Sequence, residues 1–531
     1  MKKIITYFLG LLATVQLAGC DEKKLELTSQ SSYDYSTYFV STDGLNQATI
    51  ATYATLLHNG LWSREYYFIF DLLGHDAKKT NNLQGDMAQL ADYSFGTSQA
   101  QIGQLWNSLY RMILRANVVI DRASVWKTSS DAEKQSAKQF IAEARFLRSY
   151  AYFNIVNLWG NAPLITAYDS TVVNNYFPRS SAASVWSFIE NDLALAAADL
   201  PVTYDAATGL GRATKGAATA LLGKTYLYQK KWAQAQTTLA QLTAAPYTYK
   251  LDPSYDNLFS TTNQSSVENI FQVMNAQWTD WGIGNQYYVF GGQETWGGKA
   301  THSDRAQEYG FNDWFNVYVS TSLVKAFQYP NPSTGSAYID PRAKSTFYGT
   351  AATGGETEYC QKCTTGKIVF PFKADDPQGY YVWKKYQYYN EVATYGGPAS
   401  SINGQVIRYA DVLLMLAESY IQQGKTGDDA LKLINQVRAR AGAVEYTTLG
   451  AQTAAMSLLM RERQIEFAGE QSRYFDLIRW GLAKQTINAE RAAEPGDGKQ
   501  PFQDKNVLFP IPDVEKNYNP NVAKDIANNW N

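Results

Sequence analysis

Apolar residues recur along most of this chain at the three- and four-residue spacing of helices. One stretch departs from that pattern by being apolar nearly all round. Between Ala142 and Thr166 the sequence reads AEARFLRSYAYFNIVNLWGNAPLIT. Phe146, Leu147, Tyr150, Ala151, Phe153, Ile155 and Leu158 cover more than one helical face, while Arg145, Arg148 and Ser149 form a narrow polar strip. A helix of this kind is buried among other elements. Upstream, Ser130-Asp131-Ala132-Glu133 has capping-box spacing, with Ser130 placed to cap the first turn. Gly160-Asn161-Ala162-Pro163 ends the helix, since glycine permits a left-handed exit and proline bars continuation. From Ser130 to Trp159 it would span about 45 Å, the central pillar of the expected fold.

Around this pillar the periodicity predicts further helices. Gly44–Asn59 is the first, followed by an aromatic-rich segment, Leu61–Phe70. Ile102–Ala123 is amphipathic, with Trp106, Tyr110, Ile113, Leu114 and Val118 at helical spacing, and Ser184–Leu200 is closed by Pro201. Ala217–Leu242 reads as a helical hairpin. Its Leu222, Gly223, Tyr226, Trp232, Ala235 and Leu239 fall at positions like those of a tetratricopeptide repeat, where small residues let two helices approach. A second copy is Ala410–Val437, with Leu416, Ala417, Tyr420 and Ala430. Leu458–Gly481 is a charged amphipathic helix in which Glu462, Glu466 and Glu470 follow one another at i,i+4. That stripe is read as ion pairs locking the helix to its neighbours rather than as a metal or glycosidase site. Leu508–Pro512 is extended and packs along the scaffold.

Two regions lack helical periodicity. The run His75–Ser98 is polar and reads as an exposed loop. Ala244–Gly404 is rich in Gly, Thr, Asn, Tyr and Trp, with strands expected only at Asn269–Val273 and Lys367–Phe370. So long a stretch is a functional face rather than a connector.

The N-terminus changes the picture. Lys2 and Lys3 precede a short apolar run, Ile4–Leu12, and Leu17-Ala18-Gly19-Cys20 matches a bacterial lipoprotein signal in which Cys20 is acylated and becomes the mature N-terminus. Several acyl chains anchor stably. A formal net charge of −2 implies no nucleic-acid partner. Only His58, His75 and His302 are present, in no metal-binding spacing. Cys360 and Cys363 form a lone CxxC, read as a structural or incidental pair. There is no GxSxG elbow. Neither catalysis nor a cofactor is therefore expected, although the Asp-bearing loops leave a structural calcium ion open.

Seven stretches carry a family resemblance. They are LAGC, Glu143–Leu164, Arg212–Tyr228, the triplet Asp340-Pro341-Arg342, Ile407–Tyr420, Arg461–Gly481 and Leu508–Pro512. In this order the chain resembles the SusD-like (RagB/SusD) outer-membrane lipoproteins of Bacteroidetes. The resemblance implies a mainly α, tetratricopeptide-like helical repeat scaffold with a large irregular, loop-rich ligand-binding region. It also implies a non-enzymatic, lipid-anchored protein at the cell surface, partnered by a SusC-like TonB-dependent transporter. The expected organisation is a signal peptide over 1–19, a tether over 20–40, helical parts over 41–243 and 405–531, and the ligand-binding region over 244–404, all in one compact unit.

The expected cargo is an oligosaccharide or polysaccharide, with a peptide as the alternative. Aromatics are 14% of the chain, including 38 Tyr and 13 Trp. A pyranose has an apolar face that stacks on such rings and hydroxyls that need polar partners around the rim. Gln277–Gly298 supplies both kinds of group. Trp281 and Trp296, with Trp278, Tyr287 and Tyr288, are interleaved with Asp280, Asn285, Gln293 and Glu294. The resemblance adds the Tyr66–Phe95 segment, where His75, Asp76 and Tyr93 would complete the groove. Trp106, Trp159, Trp186, Trp232 and Trp480 sit on helical apolar faces and are assigned to packing.

Overall fold

The computed structural model describes residues 38–168, 176–205, 209–260, 262–263, 265–275, 293–295, 298–300, 305–311, 314–359, 368–370, 381–387, 402–494, 500–523 and 530. The longer helices of the N-terminal part are α1 (Thr42–Tyr53), α2 (Glu65–Leu73), α3 (Gly85–Ala91), α4 (Ala100–Val125), α5 (Asp131–Trp159), α6 (Ala182–Asp199), α7 (Lys215–Tyr228) and α8 (Trp232–Ala240). Those of the C-terminal part are α9 (Tyr409–Gln422), α10 (Asp428–Arg440), α11 (Gln452–Glu466), α12 (Arg473–Trp480) and α13 (Ala483–Ala492). Each helix from α4 to α10 packs on the next, α4 on α5 and so on to α9 on α10, which is the stacking expected of a helical-repeat array. The fold is mainly helical, as the periodicity predicts.

The pillar is α5. The Ser130 hydroxyl accepts from the Glu133 amide at 3.2 Å, and Gly160 takes φ +66° at the exit. From Ala142 to Trp159 almost every residue is buried. Its polar strip is answered from α6, where Arg148 meets Asp192 at 2.8 Å. In the α7–α8 hairpin a Cβ on Gly223 would lie 2.5 Å from Leu239 Cδ2, so glycine there is a packing requirement. Leu508–Pro512 runs extended along the pillar's end. The Phe509 amide donates to the Leu158 carbonyl at 2.6 Å, and Trp159 Nε1 donates to the Pro510 carbonyl at 2.9 Å. One hydrophobic core runs from Tyr53 to Val522. Trp106 and Trp159 lie within it, and Trp186, Trp232 and Trp480 pack against it.

Three expectations are corrected. The run from His75 to Ser98 is not an exposed loop. Strand β1 (Ala77–Lys79) opens it, α3 follows, and Leu83, Met87, Leu90, Tyr93 and Phe95 are buried. Met87 and Leu90 form the short buried face of α3, hidden among polar surface residues, and Leu83 precedes it in the turn. Strand β2 (Asn269–Val273) forms as expected. Its partner β4 (Gly404–Arg408) lies where the sequence suggests only a region boundary, with Gly404 opposite Val273. Another pair joins β1 to β3 (Val317–Val319), and Ile368–Val369 pairs with Glu358–Tyr359. Finally, Leu458–Gly481 is two helices rather than one. Gly469 and Gln471 take φ +68° and +59° between α11 and α12, and the freed carbonyls of Glu466 and Ala468 accept from Lys385 Nζ at 3.2 and 3.0 Å.

The carboxylate stripe is consumed by ion pairs, as expected. Arg342, Arg408 and Arg438 are 2% exposed or less, and they meet Glu462, Glu466 and Glu470 at 2.6–3.0 Å. Arg342 also holds Asp340 at 2.9 Å, so the Asp-Pro-Arg triplet belongs to the same network. The four cations around Glu466 and Glu470 include Lys385, whose ammonium burial pushes down to about 8 despite its contact with Glu470. Among the described residues no helix is long and apolar enough to cross a membrane.

Candidate functional site

Between the first turns of α3 and α4, the turn Asn59–Ser63 and the start of α2 lies a cavity of about 310 Å³. Asn59, Arg64, Glu65, Gln84, Asp86, Gln101 and Gln104 line it from the N-terminal part, and Glu308 and Trp314 close it from the irregular region. The two sides are clipped together by backbone and side chain. Strand β1 pairs with β3, the Thr80 hydroxyl donates to the Phe315 carbonyl at 2.5 Å, and Asn82 Nδ2 donates to the Trp314 carbonyl at 2.9 Å. This leaves Trp314 41% exposed at the cavity, unlike the packed tryptophans of the helices.

Polar groups fix one another around the cavity. Asn59 Nδ2 donates to Gln104 Oε1 at 3.1 Å and to Glu65 Oε1 at 3.3 Å. Gln101 Nε2 donates to Asp86 Oδ2 at 2.9 Å. Arg64 bridges two acids, with Nε on Glu308 at 2.5 Å and Nη1 on Glu65 at 3.1 Å, and Asn316 donates to the other Glu308 oxygen. Burial raises the Glu65 carboxyl to about 7, against the pull of Arg64, and its Oε2 has no hydrogen-bond partner. An indole beside carboxamides and carboxylates can stack an apolar ring face while exchanging hydrogen bonds with hydroxyls. Among the described residues no cluster of His, Cys, Asp and Glu could hold a metal ion.

The sequence-predicted ligand residues divide into two groups. Trp278, Asp280, Trp281, Asn285, Tyr287, Tyr288 and Trp296 lie outside the described residues, as do Cys20, Cys360 and Cys363. Gln293–Thr295 and Gly298–Ala300 form a backbone hairpin, and the first of these strands packs against Ala54–Leu57 and Asn59–Ser63, the turn that carries the cavity's Asn59. His75, Asp76 and Tyr93, by contrast, are interior residues that do not line it. Tyr93 donates its hydroxyl to the Leu73 carbonyl at 2.5 Å and packs edge-on to Phe502. Asp76 is 3% exposed, its carboxyl is raised to about 7 by burial, and its carbonyl accepts from the Ser320 amide at 3.0 Å. These residues tie the N-terminal segment to the later chain. The resemblance implied a groove here, but the apolar positions interleaved with these residues draw the whole segment inward.

The sequence reading missed Trp314, Asn59, Gln101 and Gln104. Trp314 stands in Phe311-Asn312-Asp313-Trp314-Phe315-Asn316, the same mixture of aromatics and short polar residues that singles out Gln277–Gly298. Arg64 and Glu65 were visible only as interruptions of an aromatic run.

Residues 267–530 match the family model described as the SusD family, and residues 25–227 match one described as "Starch-binding associating with outer membrane". SusD-like protein P2 of Formosa agariphila is 27% identical, over 98% of this chain and 99% of its own length. A SusD superfamily protein of known structure from Bacteroides vulgatus superposes with a TM-score of 0.75 at 26% identity, over 92% of this chain and 99% of that one. A laminarin-binding SusD-like protein of known structure superposes with a TM-score of 0.68 at 25% identity, over 90% of this chain and 97% of that one. With a helical-repeat fold of that kind and both halves matching in order, this chain belongs to the SusD-like family.

Proposed function

We propose that this protein is a cell-surface glycan-binding lipoprotein that captures oligosaccharides and delivers them to a SusC-like TonB-dependent outer-membrane transporter. Cys20, acylated after signal cleavage, anchors it in the outer membrane. It binds and hands over sugar without cleaving it. The observation that carries this reading is the cavity of about 310 Å³ where the exposed Trp314 stands among Asn59, Gln84, Gln101 and Gln104. The laminarin-binding relative and the description of the family model support a glycan as cargo. In this proposal Trp281 and Trp296, with Trp278, Asp280, Asn285, Tyr287 and Tyr288, also contact the sugar.

Calorimetry of the purified chain against a panel of neutral and charged oligosaccharides tests this. At least one should bind saturably, and Trp314→Ala should weaken that binding about tenfold, in line with the loss of one stacked ring. Failure of the whole panel, with peptides co-purifying in place of sugar, would replace glycan by peptide as the cargo. A SusC-like barrel should be retained when the protein is isolated from outer membranes in mild detergent, and its absence would sink the delivery step.

A further inference from the structure

Acids outnumber cations around the cavity. Three carboxylates line it, Glu65, Asp86 and Glu308, and one cation, Arg64. That cation is already held by two of the acids, at 2.5 Å and 3.1 Å. Asn59, Gln84, Gln101 and Gln104 complete the polar lining, and none of them carries a charge. The positive end of α4 opens on the cavity at Ala100, but a helix terminus is equivalent to roughly half a charge and does not offset the acids. A larger groove of about 430 Å³ has the opposite character. Lys325, Arg461 and Arg473 line it together with Met460, Leu477 and Trp480, and no carboxylate is among its described lining residues.

We infer that the cavity beside Trp314 selects by charge, accepting neutral or amine-bearing sugars and rejecting sugars that carry carboxylate or sulfate. This rests on the reading of that cavity as the glycan site. An anionic substituent entering it meets Asp86 and Glu308, with Glu65 beside them, against the single guanidinium of Arg64 in a partly desolvated space, where like charges repel far more strongly than in water. It also finds no free guanidinium to form the bidentate pair that anion sites use. A neutral hydroxyl, in contrast, finds carboxamides that both donate and accept.

The test uses the purified full chain and glycan pairs that share a backbone and differ only in charge. Suitable pairs are laminarin and sulfated laminarin, methyl-esterified and de-esterified homogalacturonan, and chitin and chitosan oligosaccharides. Within each pair that binds, the anionic member should be at least tenfold weaker and the aminated member at least as tight. The double variant Glu65→Gln, Asp86→Asn should narrow the gap for the anionic member. Arg461→Glu in the basic groove should leave the gap unchanged. Equal affinity within a pair, with both members lost on Trp314→Ala, would overturn the charge selection and leave the glycan reading intact. Binding of anionic glycans alone would also overturn the charge selection only, and binding of no glycan of either kind would remove both.

Discussion

Arg342 Nη1 donates to Glu462 Oε1 at 2.7 Å and to Glu466 Oε2 at 2.9 Å, joining the irregular region to α11 across more than a hundred residues of sequence. All three side chains are 1% exposed or less. In such a place the geometry must be near ideal, because removing one partner strands a buried charge. Arg342→Leu should therefore destabilise the protein by about 3–5 kcal/mol, seen as a lowered midpoint in urea unfolding. A midpoint unchanged from wild type would mean that Arg438, Arg408 and Arg440 suffice to neutralise the stripe.

That network also shows what the sequence reveals and what it hides. The i,i+4 spacing of Glu462, Glu466 and Glu470 announces a carboxylate face, and the abundance of arginine announces partners. Which arginine meets which acid depends on long-range packing that spacing cannot encode. Helices were legible where apolar residues recur at helical spacing over several turns, on one side in α4 and nearly all round in α5. The pairing of β2 with β4 was not, since Gly404–Arg408 is a short run whose partner lies about 130 residues away. The cavity was not legible, since Trp314, Asn59 and Gln104 converge through tertiary contacts alone and the mixture of aromatics and amides in residues 311–316 does not say which residues meet.

Gly223 makes a sharp test of the repeat packing. Its missing side chain leaves room for Leu239, and a Cβ would stand 2.5 Å from Leu239 Cδ2. Gly223→Ala should force α7 and α8 apart or push Leu239 off its rotamer, at a cost of about 1–3 kcal/mol. With Leu239 shortened to alanine in the same chain, the double variant should lose less stability than the sum of the two single losses, so a double-mutant cycle reads the contact directly. Simple additivity would show that the two residues are not coupled.

Glu65 gives the protein a pH signature. Its folded carboxyl sits at about 7 against an ordinary 4.5, chiefly through burial. The folded state therefore takes up a proton that the unfolded state releases. The stability linked to that proton is fully present below pH 4.5 and is lost as pH rises toward and through 7. Glu65→Gln removes the titration, so its advantage over wild type should be small at pH 4.5 and grow to about 3 kcal/mol or less by pH 8. Paired thermal unfolding at several pH values isolates the difference from the other carboxyls. A constant difference across that range would show that Glu65 titrates normally.

The two kinds of tryptophan should separate binding from stability. Trp106 is 1% exposed, stands edge-on to Trp159 at 5.0 Å and donates to Glu515 at 3.3 Å. Trp106→Ala opens a large void in the core and should cost about 3–5 kcal/mol. Trp314 is 41% exposed, so its truncation removes less buried surface than that of Trp106. Trp314→Ala should therefore cost clearly less stability than Trp106→Ala, while weakening glycan binding about tenfold. Affinity electrophoresis and unfolding midpoints on the same preparations give both readouts. A Trp314→Ala protein that loses stability as Trp106→Ala does would place that indole in the core, and the cavity would then lack its stacking face.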